Sequence, residues 1–373
     1  MSAQKRLRVG VIGCGGIAQM MHLPYLASRP DRFEIAALAD ISPGVLRAMG
    51  ERYRVSPEAR FAKYEDLVAQ DLDAVLILSG GDHYPQASAA IQAGRHVFSE
   101  KPLCFTLAEA DALVEAAAAG GVKLMVGYMK RYDPGYLLAQ KRLPAMGPVR
   151  YVQMNTLHPA EDDYLAIHNI VRYDDAPAET LAALREADGR RVREAVGDVS
   201  AQLRALYPNV FLGSMVHDTN AMRGLFGEPE RVLFAELWPV DGDPVSITTL
   251  IQYPGECRVA YTWTYLPDLR NYFQEIAILT STNRLRIQFP SPYLRHFPTP
   301  VVFEGMEDGA AFEQRFVVSY EEAFHRELDA FYASIAENTA PLTGAADARG
   351  DIRLLQQILA ALHPAGLGGE AAG

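Results

Sequence analysis

Near the start of the chain, Gly13-Cys14-Gly15-Gly16-Ile17-Ala18 has the spacing G-x-G-x-x-A. Such a loop can cradle a pyrophosphate if it follows a strand and opens a helix. Here the apolar run LRVGVIG precedes it and a helical stretch over 16–29 follows. Gly13 would make the tight turn, Gly15 would let the backbone approach a phosphate, and Ala18 would allow close helix–strand packing. The free N–H groups around Gly16 and Ile17, at the positive end of that helix, would then face the phosphates.

Asp40 ends the next apolar run, FEIAALAD, somewhat beyond the usual ~20-residue distance from the glycines. An acid there accepts hydrogen bonds from ribose hydroxyls and repels a 2′-phosphate, and Ile41-Ser42-Pro43 supply no arginine to reward one. NAD rather than NADP is the expected cofactor. The same acid could instead cap the following helix, a role for which Ser42 competes. Glu100-Lys101-Pro102 follows the run HVF, at the edge of the sheet where open parallel sheets bind ligands. Lys101 could polarise an alcohol or carbonyl oxygen there; it could equally be a surface lysine.

These residues need a scaffold. Apolar runs LRVGVIG, FEIAALAD, AVLIL, HVF and KLMV alternate with helical stretches over 16–29, 43–53, 83–93 and 106–119. That alternation predicts βαβ units and a parallel sheet, its strands apolar because both faces are buried. Beyond Gly127, YVQMNTLH, RVLFAELW, VSITTLIQY, CRVAYTWTYL, FQEIAILT and RLRIQF come in close succession. The turn-rich separators YPGE and STNR predict hairpins, hence a mostly antiparallel sheet. A polar helical stretch over 176–206 interrupts it, amphipathic helices follow over 320–338 and 347–362, and the tail 364–373 reads as frayed. The expected organisation is a first domain over 1–126, a second over 127–345 with an insertion over 158–212, and a terminal helix over 346–363.

The 373 residues are 49% hydrophobic and 22% charged, which fits a folded globular chain rather than a disordered one. With 35 basic and 46 acidic residues the net charge is −11, and no basic patch speaks for nucleic acid. Cys14, Cys104 and Cys257 form no ligand or disulfide spacing, as expected of a reducing, cytoplasmic setting. Four of the ten residues 9–18 are glycine, which argues against a signal peptide. No run approaches the ~18 apolar residues of a membrane span. His158, Asp162, Asp163 and His168 match no recognised metal-ligand spacing, so no metal is expected.

The stretches GVIGCGGIA with HLPYL, DHYPQASAAIQAGRHVFSEKPL, VGYMKRYDPGY and HDTNAMRGLFGEPERV resemble the glucose-fructose oxidoreductase and inositol dehydrogenase family (Gfo/Idh/MocA), as does 344–362. The resemblance implies an α/β protein with an N-terminal Rossmann domain and a C-terminal α/β domain built on a large, open, mostly antiparallel sheet. It also implies NAD(P)-dependent oxidation of sugars, polyols and related hydroxy compounds, with homo-oligomers, dimers or tetramers, formed through that sheet. By matching position Lys101 is the family's active-site lysine and His217 its acid/base histidine, whereas alone His217 would be a lone helical histidine. The implied cofactor set is Gly13, Gly15, Gly16, Ile17, Asp40, Ser79, His83, Glu100 and Lys101, with His22 also at a family position near the cofactor. The implied substrate set is Lys101, Tyr128, Arg131, His217 and Asp218, and Lys130 and Tyr132 could also line the cleft.

Several positions depart from the family pattern. Gly213 replaces the acid four residues before His217, Asn220 replaces an acid three after it, and Ser79-Gly80 replace the usual Pro-Asn. Asp218 lies about 100° around the helix from His217 and cannot stand in for the missing partner. The insertion, with Tyr164, His168, Arg172, Tyr173 and Asp174, is expected to form a lid or extra wall contacting the substrate.

The resulting expectation is an NAD-dependent oxidoreductase acting on a secondary alcohol of a sugar, polyol or glycoside. Redox-assisted glycoside cleavage with retained NAD and a non-catalytic NAD-binding regulator are the alternatives. Asp40 leads to the first test. NAD should bind about tenfold or more tightly than NADP in a fluorescence titration, because a phosphate beside an unpaired carboxylate is costly. Asp40→Ser should narrow the gap, and equal dissociation constants for the wild type would contradict the assignment.

Overall fold

Six short strands pair side by side in the order Arg60–Phe61, Phe33–Ala39, Leu7–Ile12, Ala74–Ile77, His96–Ser99, Leu124–Val126. Every pairing is parallel. The computed structural model describes residues 6–239 and 245–362, so the tail 364–373 lies outside the described residues. Val9, Val11, Leu76, Ile77, Val97 and Phe98 are fully buried, because helices cover both faces of this sheet. The strand order reverses direction between Leu7–Ile12 and Ala74–Ile77. Ligands bind in the crevice beyond the carboxyl ends of strands at such a switch point.

The helices begin where the sequence supplies caps. The Ser42 hydroxyl accepts from the Val45 N–H and Pro43 opens the helix Pro43–Arg52. Thr106 and Glu109 form a reciprocal capping box at the start of Leu107–Gly120, which ends at Gly121 with φ +63°. The first predicted helix differs from expectation. It opens at Gly16 as expected but widens at once into a π turn, Ala18–His22, whose five residues are all buried, before continuing as the α-helix Leu23–Ser28.

The second sheet has eight strands: Ala310–Phe316, Val301–Glu307, Arg284–Phe289, Phe273–Leu279, Tyr151–His158, Cys257–Tyr265, Ser246–Tyr253 and Arg231–Trp238, in spatial order. Tyr151–His158 and Cys257–Tyr265 run parallel, and the other neighbours are antiparallel. Cys257, Val259, Tyr261 and Trp263 point to the buried face, and Arg258, Ala260 and Thr262 to the other. The polar stretch expected over 176–206 is two helices, Ala178–Val196 and Ala201–Leu206, separated by Gly197 at φ +68°. The helix Ala345–Leu362 packs on Leu107–Gly120, Val216–Phe226 and the strand Arg231–Trp238, tying the two sheets together. Among the described residues no helix is long and apolar enough to cross a membrane.

Gly13 is required by the crevice itself. Its φ is +86°, its N–H donates to the Ala39 carbonyl at 2.8 Å, and an added Cβ would lie 2.4 Å from the Ser79 nitrogen. At Gly15 an added Cβ would meet nothing within 4 Å. Gly13→Ala is therefore expected to cost about 1–3 kcal/mol of stability. Gly15→Ala should stay within about 0.5 kcal/mol of wild type in urea unfolding. Equal midpoints for the two variants would contradict this reading.

Candidate active site

Two side chains from distant parts of the chain meet in one cleft of about 600 Å³. Lys101 comes from the loop after His96–Ser99, at the carboxyl edge of the parallel sheet. His217 sits in the first turn of the helix Val216–Phe226. The Gly213 carbonyl, on the same cleft, accepts a hydrogen bond from Lys101 Nζ at 2.5 Å. Where the family pattern has a carboxylate, the backbone of the π-helical segment Tyr207–Met215 supplies the acceptor. An added Cβ at Gly213 would crowd the Pro208 carbonyl at 3.2 Å.

Burial and the nearby Lys101, Lys130 and His158 charges push the His217 imidazole well below the ordinary histidine value. It is therefore neutral at neutral pH and able to take a proton. Its Nδ1 is buried without a hydrogen-bond partner. Burial also lowers the Lys101 ammonium, against the opposing fields of Glu100 and Glu161. The opposite wall of the cleft is aromatic and polar: His158, Glu161, Trp263, Tyr265, Tyr272 and Tyr293. The Trp263 Nε1–H donates to Ser214 Oγ at 2.9 Å and the Tyr293 hydroxyl to Glu161 at 3.0 Å, which fixes two of these rings. Their positions come from strands and loops far apart in sequence, and no local motif marks them.

Asp218 has a different place from the substrate contact expected of it. Its carboxylate is buried and accepts from Lys130 Nζ at 3.1 Å, Thr156 Oγ1 at 2.8 Å and Tyr261 OH at 2.7 Å, and also from Gln274 Nε2. With both oxygens shared among four donors, it has no lone pair aimed at the cleft. Lys130, the second cation of the cleft, is held by this pairing. Arg131 turns the other way, toward Asn220 and Asp347, and Tyr128 is packed in the core. Tyr132 is likewise buried, against Thr343. The short helical turn Met129–Tyr132 therefore presents Met129 and Lys130, not Tyr128 or Arg131, to the cleft.

Along the crevice, Asp40 accepts from the Cys14 N–H at 2.7 Å and the Ser42 N–H at 2.8 Å. This places its carboxylate beside the glycine loop. Gly16 and Ile17 open the π turn, and the face of Gly15 is free. Ser79 follows the strand Ala74–Ile77, and its Oγ is buried without a partner, an orphaned polar atom at the crevice. A dinucleotide fits these features: an open glycine face, an acid for a ribose and an unused hydroxyl on the neighbouring strand end. His83 is fully buried between the Ser79 carbonyl at 2.6 Å and the Glu100 carbonyl at 2.8 Å, so it braces two sheet-edge loops rather than facing a ligand. Burial opposes ionisation of Glu100, yet the His22 hydrogen bond at 2.7 Å and the Lys101 charge hold its carboxyl below the ordinary range. Glu327 closes this group, with its ligand atom and those of His22 and Glu100 all within 4.8 Å of one another. Burial and the Glu100 charge push the Glu327 carboxyl well up, and both of its oxygens are buried without a hydrogen-bond partner.

The insertion reaches both parts of the site. Its ends line the cleft through His158, Glu161, Asp162 and Leu165 on one side and Leu206, Asn209 and Val210 on the other. Its middle crosses the dinucleotide crevice. Ile170 lies over Gly16, Val171 exchanges hydrogen bonds with Gln19, and Asp188 approaches Gly81. Arg191 pairs with Asp82 at 2.8 Å and Glu109 at 2.7 Å. The residues expected to touch substrate are used otherwise. Tyr164 bonds the Arg270 carbonyl, His168 the Tyr293 carbonyl, and Tyr173 packs on Gly44, while Arg172 and Asp174 are exposed. Docking the segment uses Tyr164, His168 and Tyr173 and leaves Arg172 and Asp174 on the surface, and the cleft is walled by its ends instead.

Residues 7–128 match the model of an oxidoreductase family described by its NAD-binding Rossmann fold. The chain is 37% identical over 139 residues to an inositol 2-dehydrogenase/D-chiro-inositol 3-dehydrogenase of Shouchella clausii, covering 37% of this chain and 40% of that one. It is 34% identical over 204 residues to an inositol 2-dehydrogenase of Burkholderia cenocepacia, covering 54% and 58%. The chain thus spans well under two thirds of the length of these relatives. Among solved structures, a UDP-N-acetylglucosamine 3-dehydrogenase from Acidithiobacillus ferrooxidans superposes with a TM-score of 0.71 at 19% identity, covering 96% of this chain and 98% of that one. An aldose-aldose oxidoreductase from Caulobacter crescentus, complexed with glycerol, gives 0.71 at 22% identity with the same coverage. A 3-ketoreductase from Actinomadura kijaniata in complex with NADP gives 0.70 at 21%, covering 94% and 96%. At these identities the likeness is one of fold. The match over residues 7–128 gives that part of the chain, with its glycine loop and Glu100-Lys101-Pro102 edge, the NAD-binding Rossmann fold of this oxidoreductase family.

Proposed function

We propose that the protein is an NAD-dependent oxidoreductase acting on a secondary alcohol of a sugar, polyol or glycoside. The observation that carries this reading is the meeting of Lys101 and His217 in one cleft at the carboxyl edge of the parallel sheet. The first domain would serve the cofactor and the second, with the insertion, would supply the substrate wall, while the helix Ala345–Leu362 braces the helix that carries His217. NAD, when bound, supplies the hydride acceptor. The chain's own residues do the rest. Neutral His217 takes the hydroxyl proton, and the Lys101 ammonium stabilises the oxygen as negative charge develops on it. Trp263, Tyr265 and Tyr272 offer faces and polar rims suited to a sugar ring. The inositol and UDP-sugar substrates named for relatives support the class without fixing the compound.

One observation favours a second reading. The insertion crosses the dinucleotide crevice, as a retained cofactor would require if it oxidised and then re-reduced the same substrate, for example in redox-assisted glycoside cleavage. Net NADH formation at 340 nm with a sugar screen supports the dehydrogenase, and product without NADH supports the second reading. The outer face of the large sheet, with Phe234, Leu250 and Ala260 in one cross-strand row, is the proposed contact of a homodimer or tetramer.

Both side chains are testable. Positioned acid–base groups contribute ~10²–10⁴-fold. His217→Ala and Lys101→Ala should each lower kcat by that order while NAD affinity stays within about threefold; wild-type turnover in either variant removes that residue from the mechanism. The pH profile is a separate check. His217 acts unprotonated and its folded-state pKa is depressed, so activity is lost only as pH falls through that lowered value. The acid limb of kcat/KM should lie clearly below the ordinary histidine value of 6.5, and an inflection at or above it would contradict the base assignment.

A further inference from the structure

Asp40 is not the only carboxylate at the ribose end of the crevice. The insertion carries Asp175 to the start of the helix Pro43–Arg52. There one carboxylate oxygen accepts from the Ser42 hydroxyl at 2.5 Å and the other from the Gly44 N–H at 2.7 Å. The approach is built into both partners. An added Cβ at Gly44 would fall 2.5 Å from Tyr173 Cγ and 2.7 Å from Asp175 Oδ2, so only glycine leaves room for the segment to dock. On either side of this contact Val171 is tied to Gln19 and Arg191 to Asp82 and Glu109, which fixes the segment along its length.

The position has a chemical meaning if the crevice takes a dinucleotide, the reading on which this inference rests. Asp40 meets the hydroxyls of the adenosine ribose. A 2′-phosphate would extend from the same sugar toward the next donors along the chain, the Ser42 hydroxyl and the Gly44 N–H at a helix N-terminus, where anions are favoured. Those two donors are already taken by an anion from the chain itself. We propose that Asp175 is a second cofactor-selecting residue, seated by the insertion where the 2′-phosphate of NADP would bind, so that docking of this segment and rejection of NADP are one event. The charge on Asp175 also adds to burial in raising the Asp40 carboxyl, as two acids sharing one end of the crevice should. Asp175 lies more than 130 positions from Ser42 and Gly44 in the chain, and neither the glycine loop nor Asp40 announces it.

The test is binding, not turnover. NAD and NADP are titrated against the full chain and against Asp175→Ala and Asp175→Asn, following intrinsic fluorescence. Asparagine keeps a hydrogen-bonding side chain and removes the charge. Two charges a few ångströms apart at a solvent-facing site are worth about tenfold in affinity. Asp175→Ala should therefore tighten NADP about tenfold while NAD stays within about threefold, and Asp175→Asn should fall between. If the residue only held the insertion in place, both cofactors would weaken together and their ratio would stay fixed. An unchanged ratio in both variants overturns the proposal. Failure of wild-type protein to bind NAD at all would instead overturn the dinucleotide reading beneath it.

Discussion

The geometry of the cleft depends on one buried carboxylate. Asp218 ties the helix that carries His217 to Thr156, Tyr261 and Gln274 of the large sheet, and to Lys130 beside the parallel sheet. A buried anion is tolerable only when its lone pairs are satisfied, and truncating one partner of such a group is strongly destabilising. The four donors come from four separate elements, one turn and three strands, so their positions are locked to one another. His217 is the neighbour of this anchor in sequence. Its imidazole projects from the helix at an angle that the anchor sets, into the space bounded by Lys101.

Charge is distributed to match. Lys101 and Lys130 border the cleft, yet each answers to a different carboxylate, Glu100 for the first and Asp218 for the second. Both cations therefore border the cleft without neutralising one another's partners. Burial, and after it their joint field, depress His217, which favours the neutral imidazole. The carbonyl of Gly213 completes the arrangement by orienting the Lys101 ammonium where a side-chain acid is absent.

Much of this was readable in the sequence wherever a local pattern fixes a local structure. The glycine loop, Asp40 and the Glu100-Lys101-Pro102 edge follow from strands and turns a few residues away. So do the parallel sheet and six strands of the large one. The hairpin Val301–Phe316 was missed because its strands alternate weakly, although Asp308-Gly309, both at positive φ, carry a hairpin signal. His217 was legible only through resemblance, since a lone histidine on a helix has no distinguishing spacing. The misplaced expectations share a cause. Whether Arg131 faces the cleft or Asn220, and whether Asp218 meets a substrate or four side chains, is decided by residues far away in the chain, as distant as Asp347 is from Arg131. The path of the insertion across the crevice is likewise a tertiary outcome, set by Gln19, Gly44 and Asp82 rather than by its own composition.

A crystal structure of the protein with bound NAD tests the central claim most directly. The expected result has the adenosine ribose at Asp40, the pyrophosphate on Gly15 and the nicotinamide C4 entering the cleft between Lys101 and His217. A substrate carbon held by those two side chains would then lie about 3–3.5 Å from it. A dinucleotide bound elsewhere, or one whose nicotinamide is kept out of the cleft, would contradict it.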